Sequence, residues 1–266
     1  MDSPDMARLS LTKCFSIDAN VRMIAITGAG GKTSLMYALA REFVSNGETV
    51  ITTTTTKIFP PHSGQSPMIL LSDDPELLGL AGELHQHRHV TLGRHIVQET
   101  GKIEGIDDET LKACMRLADR VVVEADGAAG KPVKAPEEWE PVIPMITDLV
   151  IPVTGLDCLG KPATDQWVFR LEKFLALTGL RQGEVISPDA LERLLAHPRG
   201  ALKGAGSHSR IIPFLNKEDL LPDKSAINAI AGRLGERSGG RIKFVVHGSL
   251  KGSIWSRIDL DSTAPR

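Results

Sequence analysis

Residues 21–36, VRMIAITGAGGKTSLM, decide how the chain is read. The apolar run 21–27 predicts a strand. Residues 32–46 (KTSLMYALAREFVSN) predict a helix with Leu35, Met36, Leu39 and Phe43 on one face, closed by Gly47. Between them lies Gly28-Ala29-Gly30-Gly31-Lys32-Thr33, followed by Ser34. A glycine-rich turn joining a strand to a helix suits phosphate. Small residues let backbone N–H groups turn inward, the helix start adds the positive end of its dipole, Lys32 reaches the β- and γ-phosphates, and Thr33 offers a hydroxyl to Mg²⁺.

Outward from this stretch, short apolar runs alternate with helix-length amphipathic segments. That order predicts an α/β fold, a mostly parallel sheet flanked by helices of P-loop NTPase-like type. Strands are expected at ETVITT, 68–72, 88–93, DRVVVEAD, TDLVIPVTG, 209–215 and 241–247, with a polar tail after the last. Helices are expected over 74–85, 107–117 and 223–237, and a small helical insertion over 168–205. Ser187 is the expected N-cap of a helix beginning at Pro188. Four prolines in 130–145 predict a loop or clamp over the sheet edge. The 266 residues are expected to form a single α/β nucleotide-binding domain.

Composition narrows the function. Hydrophobic residues make up 41% and charged residues 24%, as in an ordinary globular chain. With 31 basic against 33 acidic residues there is no positive surplus to neutralise a nucleic-acid backbone, and aromatics at 4% supply few base-stacking platforms. No nucleic-acid partner is expected. Three scattered cysteines without a C-x-x-C pair, Asp2 and Asp5 near the start, and no apolar run long enough to span a bilayer point to a cytoplasmic protein without a membrane partner.

The phosphate loop departs from G-x-x-x-x-G-K-[ST], because Ile26 stands where the first glycine would be. The shorter G-x-x-G-K-T spacing resembles that of the Mur ligases. Three further constellations extend the reading. Glu124 and Asp126 close an apolar strand with both side chains on one side, suited to holding Mg²⁺ or its water; either acid can take either task. Thr52 to Thr56 precede Lys57, and Thr54 is a candidate for supplying a hydroxyl to Mg²⁺ or the γ-phosphate, the alternative being a polar edge strand. Asn216-Lys217-Glu218-Asp219 resembles the N-K-x-D motif of GTPases, in which the aspartate accepts from guanine N1 and N2. This leans the purine choice, GTP or ATP, toward GTP.

Weaker signals are Lys131 and Lys161 in two G-K-P tripeptides, the alternating His85, His87 and His89, Cys158, and Ser207-His208-Ser209. Solvated lysines, structural histidines and an inert thiol are the expected outcomes there.

ITGAGGKTS, TTTTTKIF, VVVEADGAAGKPVKAPEEWEPVIP and DLVIPVTGLDCLGKP together resemble the YqeC family of selenium-dependent hydroxylase accessory proteins, over roughly residues 10 to 250. The resemblance implies an accessory role in maturing molybdenum hydroxylases that carry a labile selenium, with such a hydroxylase or its cofactor-maturation proteins as partners. The residues themselves point to Mg²⁺-dependent binding of a purine nucleoside triphosphate, with Lys32, Glu124 and Asp126 the candidate catalytic groups. Three uses remain open at this point: hydrolysis, a ligase or transferase reaction, and a nucleotide-gated interaction without hydrolysis.

Overall fold

The computed structural model describes residues 9–73, 77 and 79–260. Its centre is a ten-stranded sheet. Nine strands form a continuous path: β1 (Met23–Gly28), β2 (Val50–Thr54), β3 (Ile69–Leu71), β4 (His89–Gly93), β5 (Arg120–Glu124), β6 (Leu149–Gly155), β7 (Phe214–Asn216), β8 (Phe244–Ser249) and β9 (Ile254–Asp259), while Arg210–Ile211 pairs beside β6. Their spatial order is β9-β8-β7-β6-β1-β5-β2-β4-β3. All neighbours on this path run parallel except β8 and β9, which form an antiparallel hairpin. The mostly parallel sheet flanked by helices is thus the observed fold, with the central strand β1 running through the glycine turn into a helix, Lys32–Ser45.

The helices are α1 (Leu11–Cys14), α2 (Lys32–Ser45), α3 (Leu80–His87), α4 (Asp108–Leu117), α5 (Leu171–Thr178), α6 (Pro188–Ala196), α7 (Ser225–Ala231) and α8 (Leu234–Arg237). Alternation along each strand divides the core between the two faces. Ile24, Ile26, Val122, Ile151 and Val153 join a cluster with Leu35, Met36, Leu39 and Phe43 of α2. Met23, Val121 and Val123 pack with Leu111 and Cys114 of α4 and Leu84 of α3. Val150, Leu215 and Val245 pack with Phe174, Leu191, Leu195 and Ile230 from α5, α6 and α7. Every residue of β1, β2, β5 and β6 is buried apart from the partly exposed Gly28, as in parallel strands covered on both faces.

Local chemistry sets the boundaries. Asp107 and Ser187 accept from Thr110 N–H and Ala190 N–H, capping α4 and α6, and Pro188 occupies the first turn of α6. Elsewhere the structure differs from the sequence reading. The run 209–215 breaks at Pro213, which lacks an N–H, into Arg210–Ile211 and β7. The expected helix 223–237 divides at Gly232 and Arg233 into α7 and α8. Of the helix expected over 74–85, residues 74–76 and 78 lie outside the described residues, and α3 begins at Leu80. The segment 130–145 is irregular, yet Val133–Lys134 pairs with Val168–Phe169 as a two-stranded sheet. The tail after β8 is the β9 edge strand, and Lys57–Ile58, Ile96–Val97 and Lys102–Glu104 make a further three-stranded sheet.

The threonine run is divided by the end of β2. Thr52 Oγ1 meets His89 Nε2 at 3.0 Å and Thr91 Oγ1 at 2.8 Å, and Thr53 Oγ1 donates to Leu92 O at 2.8 Å. Buried polar groups thereby find partners inside the sheet. Burial, with a smaller contribution from Arg41, lowers the pKa of His89 from 6.5 to about 4. The folded imidazole stays neutral while the unfolded chain takes up a proton. Stability is therefore complete above pH 6.5 and declines as the pH falls through that window to about 4, by up to about 3 kcal/mol. Urea unfolding across this range should show a shallower decline for His89→Gln than for the parent chain; equal slopes would contradict the assignment.

Candidate functional site

Four strand ends build the site. Ile26 aligns with Glu124, Gly28 with Val153, and Gly155 with Asn216, so the carboxyl ends of β1, β5, β6 and β7 meet along one edge, where open parallel sheets receive ligands. The turn after β1 packs hard against β6. Ala29 N–H donates to Val153 O at 2.9 Å, and Gly30, at φ +84°, lies so close that a Cβ would stand 2.3 Å from Gly155 N. At Gly31, φ +133°, a Cβ would stand 2.3 Å from Asn216 Nδ2. Both positions demand glycine.

Asn216 braces the turn. Its Nδ2 donates to Gly30 O at 2.8 Å and its Oδ1 accepts from Leu250 N–H at 3.2 Å. The N–H groups of Gly30 and Gly31 have no acceptor among the described residues, and Gly31 brings no side chain to cap α2. The first turn of α2 therefore keeps its donors and dipole open to an anion. By contrast, Gly28 N–H is already committed to Asp126 Oδ2 at 3.1 Å, and Ala29 N–H to β6. Of the turn residues, Gly30 and Gly31 are the ones with donors to offer.

Behind the turn sits a buried charge cluster. Lys32 Nζ donates to Gly28 O at 2.9 Å and lies 3.5 Å from Glu124 Oε1 and 3.4 Å from Asp126 Oδ1. Thr33 Oγ1 donates to Glu124 Oε2 at 2.7 Å. Lys134 Nζ reaches Asp126 Oδ2 at 3.2 Å, Glu140 Oε2 at 2.8 Å and Gly127 O at 2.7 Å. Two ammonium groups thus face three carboxylates, all buried, one carboxylate more than there are amines to pair with. Asp126 Oδ1 in particular is buried without a hydrogen-bond partner. Such a cluster suits a divalent cation, with the Thr33 hydroxyl and the Glu124 and Asp126 carboxylates as oxygen donors. Lys134 and Glu140 escaped the sequence reading because their surroundings, VKAPEEWEP, resemble ordinary charged loop. Two prolines close to Lys134 were the available sign that this loop is pinned.

The cluster opens into a cavity of about 950 Å³ lined by residues that include Gly30, Gly31, Lys32, Thr33, Ser34, Glu124 and Lys217. Thr54 takes a different position from the expected one. Its hydroxyl donates to the backbone carbonyl of Glu124 at 2.7 Å and meets Thr56 Oγ1 at 3.2 Å, while Thr55 and Thr56 line the cavity. Thr54 acts as a strut holding β2 to the end of β5. Lys217 Nζ pairs with Asp157 Oδ2 at 2.7 Å, and Asp219 is exposed beyond the lining in a 3₁₀ turn, Glu218–Leu220. Lys131 lines the cavity; Lys161 instead stacks over Trp167, 5.2 Å from the ring centroid.

The weaker signals have structural outcomes. His85 and His87 lie on α3 while His89 is buried in β4, and no group of three or more His, Cys, Asp or Glu residues is poised around a metal among the described residues. Cys158 is fully buried, and burial beside Asp157 pushes its thiol far above the usual range. Ser209 Oγ donates to Thr147 O at 2.7 Å. Among the described residues no helix is long and apolar enough to cross a membrane.

Comparison with known proteins places this geometry in a family. The model of the YqeC protein family matches residues 24–172. The YqeC protein of Escherichia coli (strain K12) is 34% identical over 198 residues, which cover 73% of this chain and 75% of the relative. Among solved structures, the signal recognition particle 54 kDa protein of Aeropyrum pernix K1 in complex with GDP aligns at 16% identity and a TM-score of 0.38, covering 93% of this chain and 48% of that chain. The apo form of PAB0955, a GTPase from Pyrococcus abyssi, aligns at 13% identity and a TM-score of 0.32, covering 89% of this chain and 93% of that one. The family model covers more than half of the chain and the relative is 34% identical over 73% of it, so the chain belongs to the YqeC family.

Proposed function

We propose that the protein binds a purine nucleoside triphosphate with Mg²⁺ and hydrolyses it in service of an assembly step on a partner. One observation carries this reading: the open N–H groups of Gly30 and Gly31 and the start of α2 lie at a large cavity that Lys32, Thr33 and Glu124 also line, with Asp126 buried behind Lys32. The backbone donors grip phosphate oxygens. Lys32, released from its contacts with Glu124 and Asp126, neutralises the β- and γ-phosphates. Thr33, Glu124 and Asp126 would hold the metal, which supplies charge neutralisation on the phosphate oxygens. Glu124 and Asp126, freed from Lys32, are also the candidates for orienting an attacking water. The family resemblance adds the partner: a molybdenum hydroxylase carrying labile selenium, or the proteins that mature its cofactor.

The base is the finer part of the proposal. Asn216 fixes the turn, Lys217 lines the cavity, and Asp219, two residues on and exposed in the turn beyond the lining, is the carboxylate that would accept from guanine N1 and N2. GTP is thus the favoured ligand. A second reading, a nucleotide-dependent ligase or transferase, is favoured by the extent of the cavity, which lies near the upper end of the ~300–1,000 Å³ typical of ligand pockets.

Calorimetric titration of Lys32→Ala with GTP and ATP should show a loss of roughly a hundredfold or more in affinity, since several charge-assisted contacts vanish together. Circular dichroism of the same sample verifies that it is folded, and Lys32→Arg, which keeps the cluster's charge but misplaces it, should be folded and also weakened. Undiminished affinity in both variants would contradict the assignment. Asp219→Asn should weaken GTP about tenfold and relax discrimination toward xanthosine triphosphate, whereas equal affinity of the parent chain for GTP and ATP would refute guanine recognition. Phosphate release that proceeds without any added small molecule supports hydrolysis; release only when an acceptor is supplied supports the second reading.

A further inference from the structure

Resting on the nucleotide reading, we infer that the part of the cavity on the β2 side of the phosphate turn binds a second ligand: a small molecule with a planar ring and a phosphate or carboxylate group. The sheet order separates the two seats. From β1 the path runs through β6 to β7 on one side, carrying Asn216, Lys217 and Asp219, and through β5 to β2 on the other. A nucleoside directed toward β7 leaves the β2 side free, beyond Glu124, where the terminal phosphate would lie.

That side is built for an anion. The strand Lys57–Ile58 follows β2 and pairs with Lys102–Glu104, and this small sheet contributes Lys57, Phe59 and Lys102 to the cavity wall. Lys131 and Arg170 line the same cavity nearer the end of β6, where Gly155 N–H donates to Pro132 O. Among the described residues neither Lys57, Lys102 nor Lys131 has a carboxylate within 4.0 Å, and the one acid near Arg170 is Glu137 at 3.9 Å. Arg170 Nε is buried with no hydrogen-bond partner. Glu104, across from Lys57, is engaged with His95 at 2.9 Å. Lys57 and Lys102, on one cavity wall and neither with a carboxylate within 4.0 Å among the described residues, repel one another, and an anion between them removes that cost.

Aromatic faces accompany the charges. Lys102 Nζ stands 4.8 Å from the centroid of Phe59 and the Arg170 guanidinium 4.5 Å from that of Phe169. Phe59 is 65% and Trp139 69% exposed while both line the cavity, an unusual outlay of apolar ring surface in a chain poor in aromatics. Rings with an ammonium or guanidinium over them recognise a flat anionic molecule from its face and its charged group together. A simple inorganic ion would leave Phe59 and Trp139 without a role.

The test is calorimetry on the full chain with 1-naphthyl phosphate, 2-naphthoate and uncharged 1-naphthol, each with and without a saturating non-hydrolysable GTP analogue. At least one anionic probe should bind in the presence of the analogue and more tightly than naphthol; the phosphate and carboxylate arms identify which head group is read. Lys57→Gln combined with Lys102→Gln, both on the cavity surface, should weaken that probe about tenfold and leave nucleotide affinity unchanged. Competition between probe and nucleotide, equal binding of naphthol, unaltered probe affinity in the double variant, or binding of neither anion would each overturn the proposal. Should the analogue itself fail to bind while a probe binds and depends on Lys57 and Lys102, the nucleotide reading falls and the anion site stands.

Discussion

Removing the Lys32 ammonium group from water places it between Gly28 O, Glu124 and Asp126, and the rest of the site is arranged around that one cation. A buried charge is tolerated only when it is paired and hydrogen-bonded, so the ends of β1 and β5 must meet within a few ångströms. The glycine turn makes this meeting possible. At Gly30 and Gly31 any side chain would strike the backbone of β6 or the amide of Asn216, so the turn lies flat against its neighbours and α2 starts directly over the cluster.

The same cluster links the proline-rich segment to the phosphate turn. Asp126 stands between Lys32 and Lys134, and Lys134 extends the chain of contacts to Glu140. Drawing Lys32 toward a triphosphate would leave Asp126 to Lys134 or to a metal ion. On the proposed reading, nucleotide occupancy would be coupled through Lys134 and Glu140 to the loop that brings Trp139 and Val142 to the cavity lining.

Much of this was legible in the sequence because the decisive features are local. Glycines between an apolar run and an amphipathic helix, three consecutive valines, and Asp107 and Ser187 at helix starts each state their conformation within a few residues. Features that depend on distant partners were not. The β9 strand carries only a weak apolar alternation and exists through its hairpin with β8. The small sheet containing Lys57 and Lys102 joins segments about 45 residues apart, each two or three residues long. Thr54 was singled out by its hydroxyl, but which threonine of five faces the cavity is set by where β2 ends, and that is fixed by pairing with β5. Lys134 was hidden because burial of a loop lysine is decided by the acids that surround it in space.

Hydrogen exchange at the phosphate turn tests the central claim most directly. If Gly30, Gly31 and the first turn of α2 bind the phosphates, peptides spanning residues 28–35 should exchange more slowly when the chain is saturated with Mg²⁺ and a non-hydrolysable GTP analogue, while β9 is unaffected. Unchanged exchange in this segment at concentrations up to the millimolar range would show that the turn does not hold a triphosphate.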